Sequence, residues 1–553
     1  MSVAQETIEI TLAGRTARFA MGTTPLDVIR RLLPAHAQTA LCVMCGGISL
    51  ALNEPLTKSC SIRLLTYHNE QARRVYERSL RFLLLLAMHN LYPKKHIRIL
   101  NSIGYGVYLR VIDEDMDFAM VRALETEMRR LADEDIPFER ETWTTAQAIE
   151  YFRDMPDKAE VLAYRPSDTI PMYKLQDLHE YFYGIMVPST SYIKVFALRP
   201  HFPGLVVRMP APADPTTPAP YLSRRKHLRT FTQSQEWSRI LGVRNIPDVN
   251  HLIENKRMRE FIRVNEALQD KSIAQIADQI VDIGAQIVPV FGPSCSGKTT
   301  FAHRLAVHLQ VLGKHPQVIS LDNFYLPRSR VPLGSDGKPD LENVNALDVP
   351  LMRSCIERLL SGQEVRLPKF NFAKAERTMS DPPIRLDAHG PLILEGIHAL
   401  NDQITAQLPE QLVFGIYVSA LHCVNLDNHN RIRTTDVRLL RRIVRDAAYR
   451  GMDAAHTISM WPSVRAGEER WIFPNQEKAD VMFNTSLQYE LPVLKTIGWD
   501  LLSAIPESAP TYLVAHRILK FLQYFLPASD EMIQEIPPQS ILREFIGGST
   551  FRH

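Results

Sequence analysis

Cysteine is scarce in this sequence, six in 553 residues, which excludes a disulfide framework. Cys42 and Cys45 make a single C-x-x-C, but no second ligand pair follows at zinc spacing, so they read as two small residues on a strand. Long apolar runs are missing as well. The longest, Phe82–Met88, falls far short of the roughly 20 residues that a membrane helix requires. Met1–Glu9 has neither a basic start nor an apolar stretch, so no signal peptide is expected there. These absences together predict no membrane partner and a cytoplasmic location. Charge of one sign is not in excess either: 64 basic against 61 acidic residues leaves a net +3, with no global field to draw nucleic acid. With 45% apolar and 23% charged residues, the chain is neither disordered nor low in complexity. Its length exceeds what one core can serve and suggests about three or four units.

Strand-like alternation runs through Ile8, Ile10 and Leu12 and turns at Gly14. Thr23-Thr24-Pro25 then opens a helix, with threonine as N-cap and proline in the first turn, and Val28, Ile29, Leu32 and Leu33 supply its apolar face. Short strands near Gly46-Gly47 and at Ser61–Thr66 complete a small α+β unit by residue 68. Arg74–Leu91 reads as a long helix, followed by mixed strands and helices to Met209. Residues 210–220, PAPADPTTPAP, hold five prolines and predict a linker or long exposed loop. Tyr221–Val281 is helical in pattern and ends in the run Ile273, Ile276, Ala277 and Ile280. From about residue 284 strands and helices alternate, the signature of an α/β unit. The expected divisions are residues 1–68, 69–209, a linker and helical connector at 210–280, an α/β unit at 281–530 and a tail at 531–553.

Gly292-Pro293-Ser294-Cys295-Ser296-Gly297-Lys298-Thr299 fits the pattern G-x-x-x-x-G-K-[ST] at every defined position. Such a loop curls backbone N–H groups around phosphate oxygens, while the lysine reaches the β- and γ-phosphates and the threonine hydroxyl ligates Mg²⁺. Context supports it. The apolar strand Ile287–Phe291 precedes the loop, and a helix follows with Phe301, Leu305, Leu309 and Leu312 on one face and Gly313 as its stop. Phosphates would therefore sit at a helix N-terminus, with Thr300 in the same turn. Pro289 departs from the pattern, since it removes a donor from an interior strand.

Two further strands end in acids, Asp322 after Gln317–Leu321 and Glu395 after Leu392–Leu394. At the carboxyl ends of an open α/β sheet both would face the phosphate loop. Phosphoryl transfer can use one carboxylate to accept the attacking hydroxyl's proton and another to hold the metal's shell. Arg438, Arg441, Arg442 and Arg445 stand three or four apart and so share one helix side, with Arg450 beyond them. They read as a lid that closes on phosphoryl oxygens.

Leu321-Asp-Asn-Phe-Tyr325, Pro368-Lys-Phe-Asn-Phe372, Glu395-Gly-Ile397, the arginine run and Ala479-Asp-Val481 occur in the order seen in uridine kinases. Residues 285–490 thus resemble the phosphoribulokinase/uridine kinase family. The resemblance implies ATP as phosphoryl donor, Mg²⁺ held by Thr299 and Glu395, and Asp322 as general base for a nucleoside 5′-hydroxyl. It further implies Arg445 and Arg450 on the phosphates and Arg442 on the ribose, with Tyr325, Glu342, Phe370 and Phe372 beside the acceptor. The same comparison exposes departures. Glu342 stands where the family has an aspartate, Phe370 replaces a tyrosine, and Ala375 replaces a histidine. Met452 and Met460 fall where an arginine and a glutamine contact the nucleoside. A site stripped of hydrogen-bonding groups loses discrimination steeply.

Gly22-Thr-Thr-Pro25 and the helix after it make residues 1–68 similar to the TGS domain found in threonyl-tRNA synthetases and stringent-response proteins. Arg78-Ser79, Leu91-Tyr-Pro93 and His179-Glu180 make residues 69–209 similar to the synthetase editing domain. The editing site's own positions read Arg78, Phe82, Phe182 and Met186, which hold neither a zinc ligand set nor acid/base groups. A binding or scaffolding role is therefore expected for this half. The fold class expected is multidomain, with an α+β N-terminal half and an α/β P-loop unit built on a parallel sheet. The function expected is transfer of the γ-phosphoryl of ATP to uridine or cytidine. One alternative is a kinase for another hydroxylated metabolite. Another is an ATP-switched translation or stringent-response regulator whose N-terminal half binds RNA or a nucleotide signal. Homo-oligomers are compatible with each.

Overall fold

In a computed structural model the protein is described over residues 6–112, 114–334, 337–371, 376–388, 390–406 and 412–551. The chain opens with a five-stranded sheet in the order Arg15–Ala20, Thr7–Leu12, Cys60–Thr66, Ala40–Cys45, Ile48–Leu50. The helix Pro25–Leu32 packs on it. Thr24 caps this helix and shares a capping box with Asp27, so the start lies where the Thr-Thr-Pro signal puts it. The 22-residue helix Glu70–Leu91 follows and is buried on every side from Phe82 to Met88. It packs with Phe118–Asp133 against a four-stranded sheet, Ala197–His201, Gly204–Arg208, Gly106–Val111, Ile97–Ile103. Leu178–Glu180, Thr169–Leu175 and Glu139–Thr144 form a separate three-stranded sheet.

The four editing-site positions come together here as packing. The rings of Phe82 and Phe182 lie 5.4 Å apart, Phe138 is 5.8 Å from Phe82, and Met186 is buried in the same cluster. Arg78 donates to the carbonyl of Ile185, and its guanidinium closes against Gly184. Side chains fill this space.

Residues Pro210–Ala211 and Asp214–Pro218 pair as a small antiparallel hairpin where the proline content suggests a linker or loop. Asp214 caps the turn through Thr216 and Thr217, and the Tyr67 hydroxyl donates to the Pro210 carbonyl at 3.0 Å. Three helices follow, Arg225–Ile240, Ile246–Glu254 and Met258–Ile283.

The C-terminal half is built on a five-stranded parallel sheet ordered Gln317–Ser320, Leu392–Glu395, Ile287–Phe291, Ile416–Ser419, Val481–Asn484. All five residues of the central strand are buried. Pairing with Ile416–Ser419 occurs at Val290 and Phe291, so the donor that Pro289 lacks falls outside that register. The chain runs from the central strand to one edge and back, then to the other edge, so its direction switches beside Ile287–Phe291. Ligands of open α/β sheets bind at such a point.

The two halves share buried polar contacts. Lys158 pairs with Glu180 at 2.6 Å and lies 3.4 Å from Asp427, and His429 bonds Glu180 at 2.6 Å. Arg74, on the long N-terminal helix, reaches Asp436 at 3.5 Å. Asp436 stands in the first turn of the arginine-rich helix Thr434–Arg450, so the N-terminal half is tied to that helix where it begins. Among the described residues no helix is long and apolar enough to cross a membrane.

Candidate active site

The central strand ends at Phe291 and the loop turns at Gly292, where a Cβ would lie 1.9 Å from the Val418 carbonyl oxygen. Only glycine fits that approach. Gly297 has φ +82°, in the left-handed region, and caps the helix Lys298–Val311. The loop is braced from behind. Thr485 donates to the Ser296 carbonyl at 2.6 Å, and the Ser294 N–H donates to Glu468 at 3.1 Å. Lys298 is buried, with Nζ 3.3 Å from the Pro293 carbonyl. The Ser296 hydroxyl is buried and makes no hydrogen bond among the described residues.

Asp322 lies in a 3₁₀ turn, Leu321–Phe324, just beyond the strand Gln317–Ser320. Glu395 is the last residue of the neighbouring strand and accepts from the Ser320 hydroxyl at 3.2 Å. Both carboxylates feel Lys298, and the charge of Asp322 acts on Glu395. Burial raises Asp322 above its ordinary range, opposed by Lys298, Arg450 and Arg445. Burial also pushes Glu395 up to about 7 against Lys298, with Asp322 and Glu544 adding to the rise. Buried Glu395 and half-buried Asp322 set two carboxylates near the phosphate loop as an oxygen donor set. A hard divalent cation fits such a set, since Mg²⁺ takes one or two carboxylates and completes its shell with water and phosphate. Thr299, partly exposed in the first helical turn, adds a hydroxyl.

The arginines divide by burial. Arg438 and Arg441 are 1% and 0% exposed and pair with Glu468 and Glu490. Arg441 also donates to the Thr485 carbonyl at 3.1 Å, so these two support the loop from outside. They are not part of a lid, contrary to the shared face that their spacing suggests. Arg442 donates to the Ser294 hydroxyl at 3.0 Å and thus borders the phosphate loop. Arg442, Arg445 and Arg450 converge on buried Asp446, at 3.3, 2.8 and 3.5 Å. The charges of Arg445 and Arg450 act on Asp322.

On the acceptor side, the Tyr325 hydroxyl donates to the Leu341 carbonyl at 2.9 Å, and its ring is 5.9 Å from Phe370. The Phe370 N–H donates to Asn323 at 3.2 Å. Glu342 packs against Gly467 and is raised to about 7, chiefly by burial, with Arg442 opposing. Phe372 and Ala375 lie outside the described residues. Glu468 is the site residue that sequence reasoning missed. It joins Arg438, Arg465 and the Ser294 N–H while fully buried, and no local motif marks it.

The raised acids set a pH dependence of stability. A carboxylate whose folded pKa exceeds its unfolded value favours the folded state below the unfolded pKa, and this contribution is lost as pH rises through the folded pKa. The unliganded protein should therefore lose stability from the ordinary glutamate range up through about 7. For Glu342 the loss is on the order of 3 kcal/mol. Thermal midpoints between pH 5 and 8 should fall less steeply in Glu342→Gln than in the parent. Equal slopes would exclude Glu342 as a source.

Residues 287–491 match the description "Phosphoribulokinase / Uridine kinase family". A uridine kinase of Halobacterium salinarum is 29% identical over 201 residues, covering 35% of this chain and 78% of that protein. A threonine–tRNA ligase of Desulforamulus reducens is 31% identical over 196 residues, covering 34% of this chain. The chain spans only 31% of that ligase's length. Among solved structures, a possible uridine kinase from Bacillus stearothermophilus aligns over 38% of this chain and 97% of its own, at 19% identity and a TM-score of 0.26. Residues 287–491 of this chain are a phosphoribulokinase/uridine kinase family domain, joined to an N-terminal half similar to segments of threonine–tRNA ligases.

Proposed function

We propose that the protein is an ATP-dependent kinase that transfers the γ-phosphoryl group to a hydroxyl of a nucleoside or related small molecule. The observation that carries this reading is the pair of acids, half-buried Asp322 and buried Glu395, at adjacent strand ends within the influence of Lys298. A nucleotide switch has no need of a general base for an acceptor. Asp322 accepts the proton of the acceptor hydroxyl as its oxygen bonds to the γ-phosphorus. The bond from that phosphorus to the β,γ-bridging oxygen breaks, and ADP leaves with its electron pair. Lys298 holds the phosphates, and Arg445 and Arg450 neutralise charge on the transferring oxygens. Thr299 and Glu395 would hold Mg²⁺, which supplies charge neutralisation at the β- and γ-phosphates.

Uridine or cytidine, phosphorylated at the 5′-hydroxyl, is the simplest acceptor, given the uridine kinases among the similar proteins. On this reading Glu342 and Arg442 would hold the sugar, with Tyr325 and Phe370 beside the acceptor. One observation favours an acceptor other than a plain pyrimidine nucleoside. Phe370 offers a ring edge beside Tyr325 but no side-chain hydrogen bond. Losing one buried polar partner costs about 1–3 kcal/mol. Selectivity among bases should therefore be poor, or the best acceptor should be a different hydroxylated metabolite. A comparison of kcat/KM for uridine, cytidine, adenosine and guanosine at one ATP concentration tests this, followed by a metabolite screen for Mg²⁺-dependent ATP consumption. A strong preference for uridine and cytidine would refute the loss of selectivity. No ATP consumption with any acceptor would refute the kinase. The N-terminal half then serves as a docked scaffold, with RNA or a nucleotide signal as its candidate ligand.

A further inference from the structure

The last described residues do not trail away from the phosphate loop. They pack on it. Ile541, Leu542 and Phe545 are fully buried, and the Phe545 ring lies 5.1 Å from the Arg441 guanidinium. Ser540 donates to Glu266 at 2.6 Å, and Arg543 folds back to donate to the carbonyls of Ile533 and Ile536 at 2.7 and 2.8 Å. These contacts hold one turn, Arg543–Ile546, against the start of the phosphate helix. Three points on that helix are covered. A Cβ built on Gly297 would lie 2.5 Å from the Ile541 side chain. The Thr300 hydroxyl donates to Glu544 at 2.8 Å. Phe551 stacks on His303, one turn further along, at 5.3 Å.

Glu544 is the informative member. It is an acid 8% exposed, bonded within the first turn of the helix that receives an anionic ligand, one residue past the Thr299 hydroxyl. The partial positive charge and free N–H groups of that turn attract a carboxylate as they attract a phosphate. The charge of Glu544 also reaches Arg445 and Glu395.

We propose that the C-terminal segment is an autoinhibitory strap, whose Glu544 carboxylate occupies the anion-binding first turn at Thr300 and must release it before a nucleoside triphosphate can bind. The inference rests on the kinase reading above and adds regulation of the same site. The apolar anchors Ile541, Leu542 and Phe545 keep the strap docked, while the carboxylate opposes the incoming phosphates as a like charge in a poorly solvated place. Whatever lifts the strap raises nucleotide affinity.

The experiment is calorimetric titration of the full chain with Mg²⁺ and a non-hydrolysable ATP analogue, in the parent, Glu544→Gln and Lys298→Ala. Glutamine keeps the shape and an acceptor for Thr300 while removing the charge, and an unchanged thermal midpoint confirms the fold. Glu544→Gln should bind the analogue at least about tenfold more tightly, the effect of relieving one like-charge contact. Unchanged affinity, with catalysis intact, would overturn the strap and leave the kinase standing, because Glu544 would then be a structural bond only. Weaker affinity would also overturn it, since Glu544 would then belong to the nucleotide site. If neither the parent nor Glu544→Gln binds the analogue, the kinase reading fails and the strap fails with it.

Discussion

Lys298→Ala should lower phosphoryl transfer by at least about 10²–10³-fold, the usual worth of one preorganised electrostatic contact to the transferring group. Lys298 opens the helix behind the glycine turn, and its ammonium is the cation shared by the two strand-end acids. Its Nζ is only 3.3 Å from the Pro293 carbonyl, so in the unliganded loop the side chain folds over the cradle it serves. Alanine removes the charge but little core volume, because the apolar face of the helix is carried by Phe301, Leu305 and Leu309. The fold should persist. Steady-state ATP consumption, paired with circular dichroism of the variant, checks both parts. A well-folded variant that turns over at the parental rate would refute the kinase assignment.

Asp322→Asn should leave ATP affinity nearly unchanged and lower kcat by about 10²–10⁴-fold, the range for a positioned general base. The raised pKa of Asp322 suits the task, since a base is most effective when its pKa lies close to the working pH. Activity in the parent should rise with pH as the carboxylate ionises, and this acid limb should vanish from the residual activity of Asp322→Asn. The measurement is kcat against pH alongside nucleotide titration. If ATP affinity collapses while the acid limb stays, Asp322 holds the metal, and Glu395 is the base.

The phosphate loop could be read from sequence because its chemistry is local. Eight consecutive residues carry the geometry, and the strand before and helix after are short-range patterns. The strand-end acids follow from the rule that parallel strands end on one side of the sheet. Asp322 departs from it only by sitting in a 3₁₀ turn just past its strand. The Thr-Thr-Pro helix start is legible for the same reason, since a capping box spans only Thr24 to Asp27.

The arginine run shows where such reading ends. Spacing places Arg438, Arg441, Arg442 and Arg445 near one another on the helix, but spacing cannot say which carboxylate meets each. Glu468 and Glu490 lie tens of residues away and claim the first two for the loop's support. The proline-rich stretch is a docked hairpin because Tyr67, far upstream, gives it a partner.

Sequence by itself determined the glycine-rich loop, the two acids, the parallel-sheet class and the lack of a zinc ligand set at Arg78, Phe82, Phe182 and Met186, because each depends on residue type and short-range period. Tertiary structure alone decided that two arginines are struts, that Glu468 completes the loop, that the N-terminal half grips the start of the arginine helix, and that Glu544 covers Thr300. Those facts depend on burial and charge pairing between residues up to several hundred positions apart, as with Arg74 and Asp436, and no periodicity in the chain encodes such meetings.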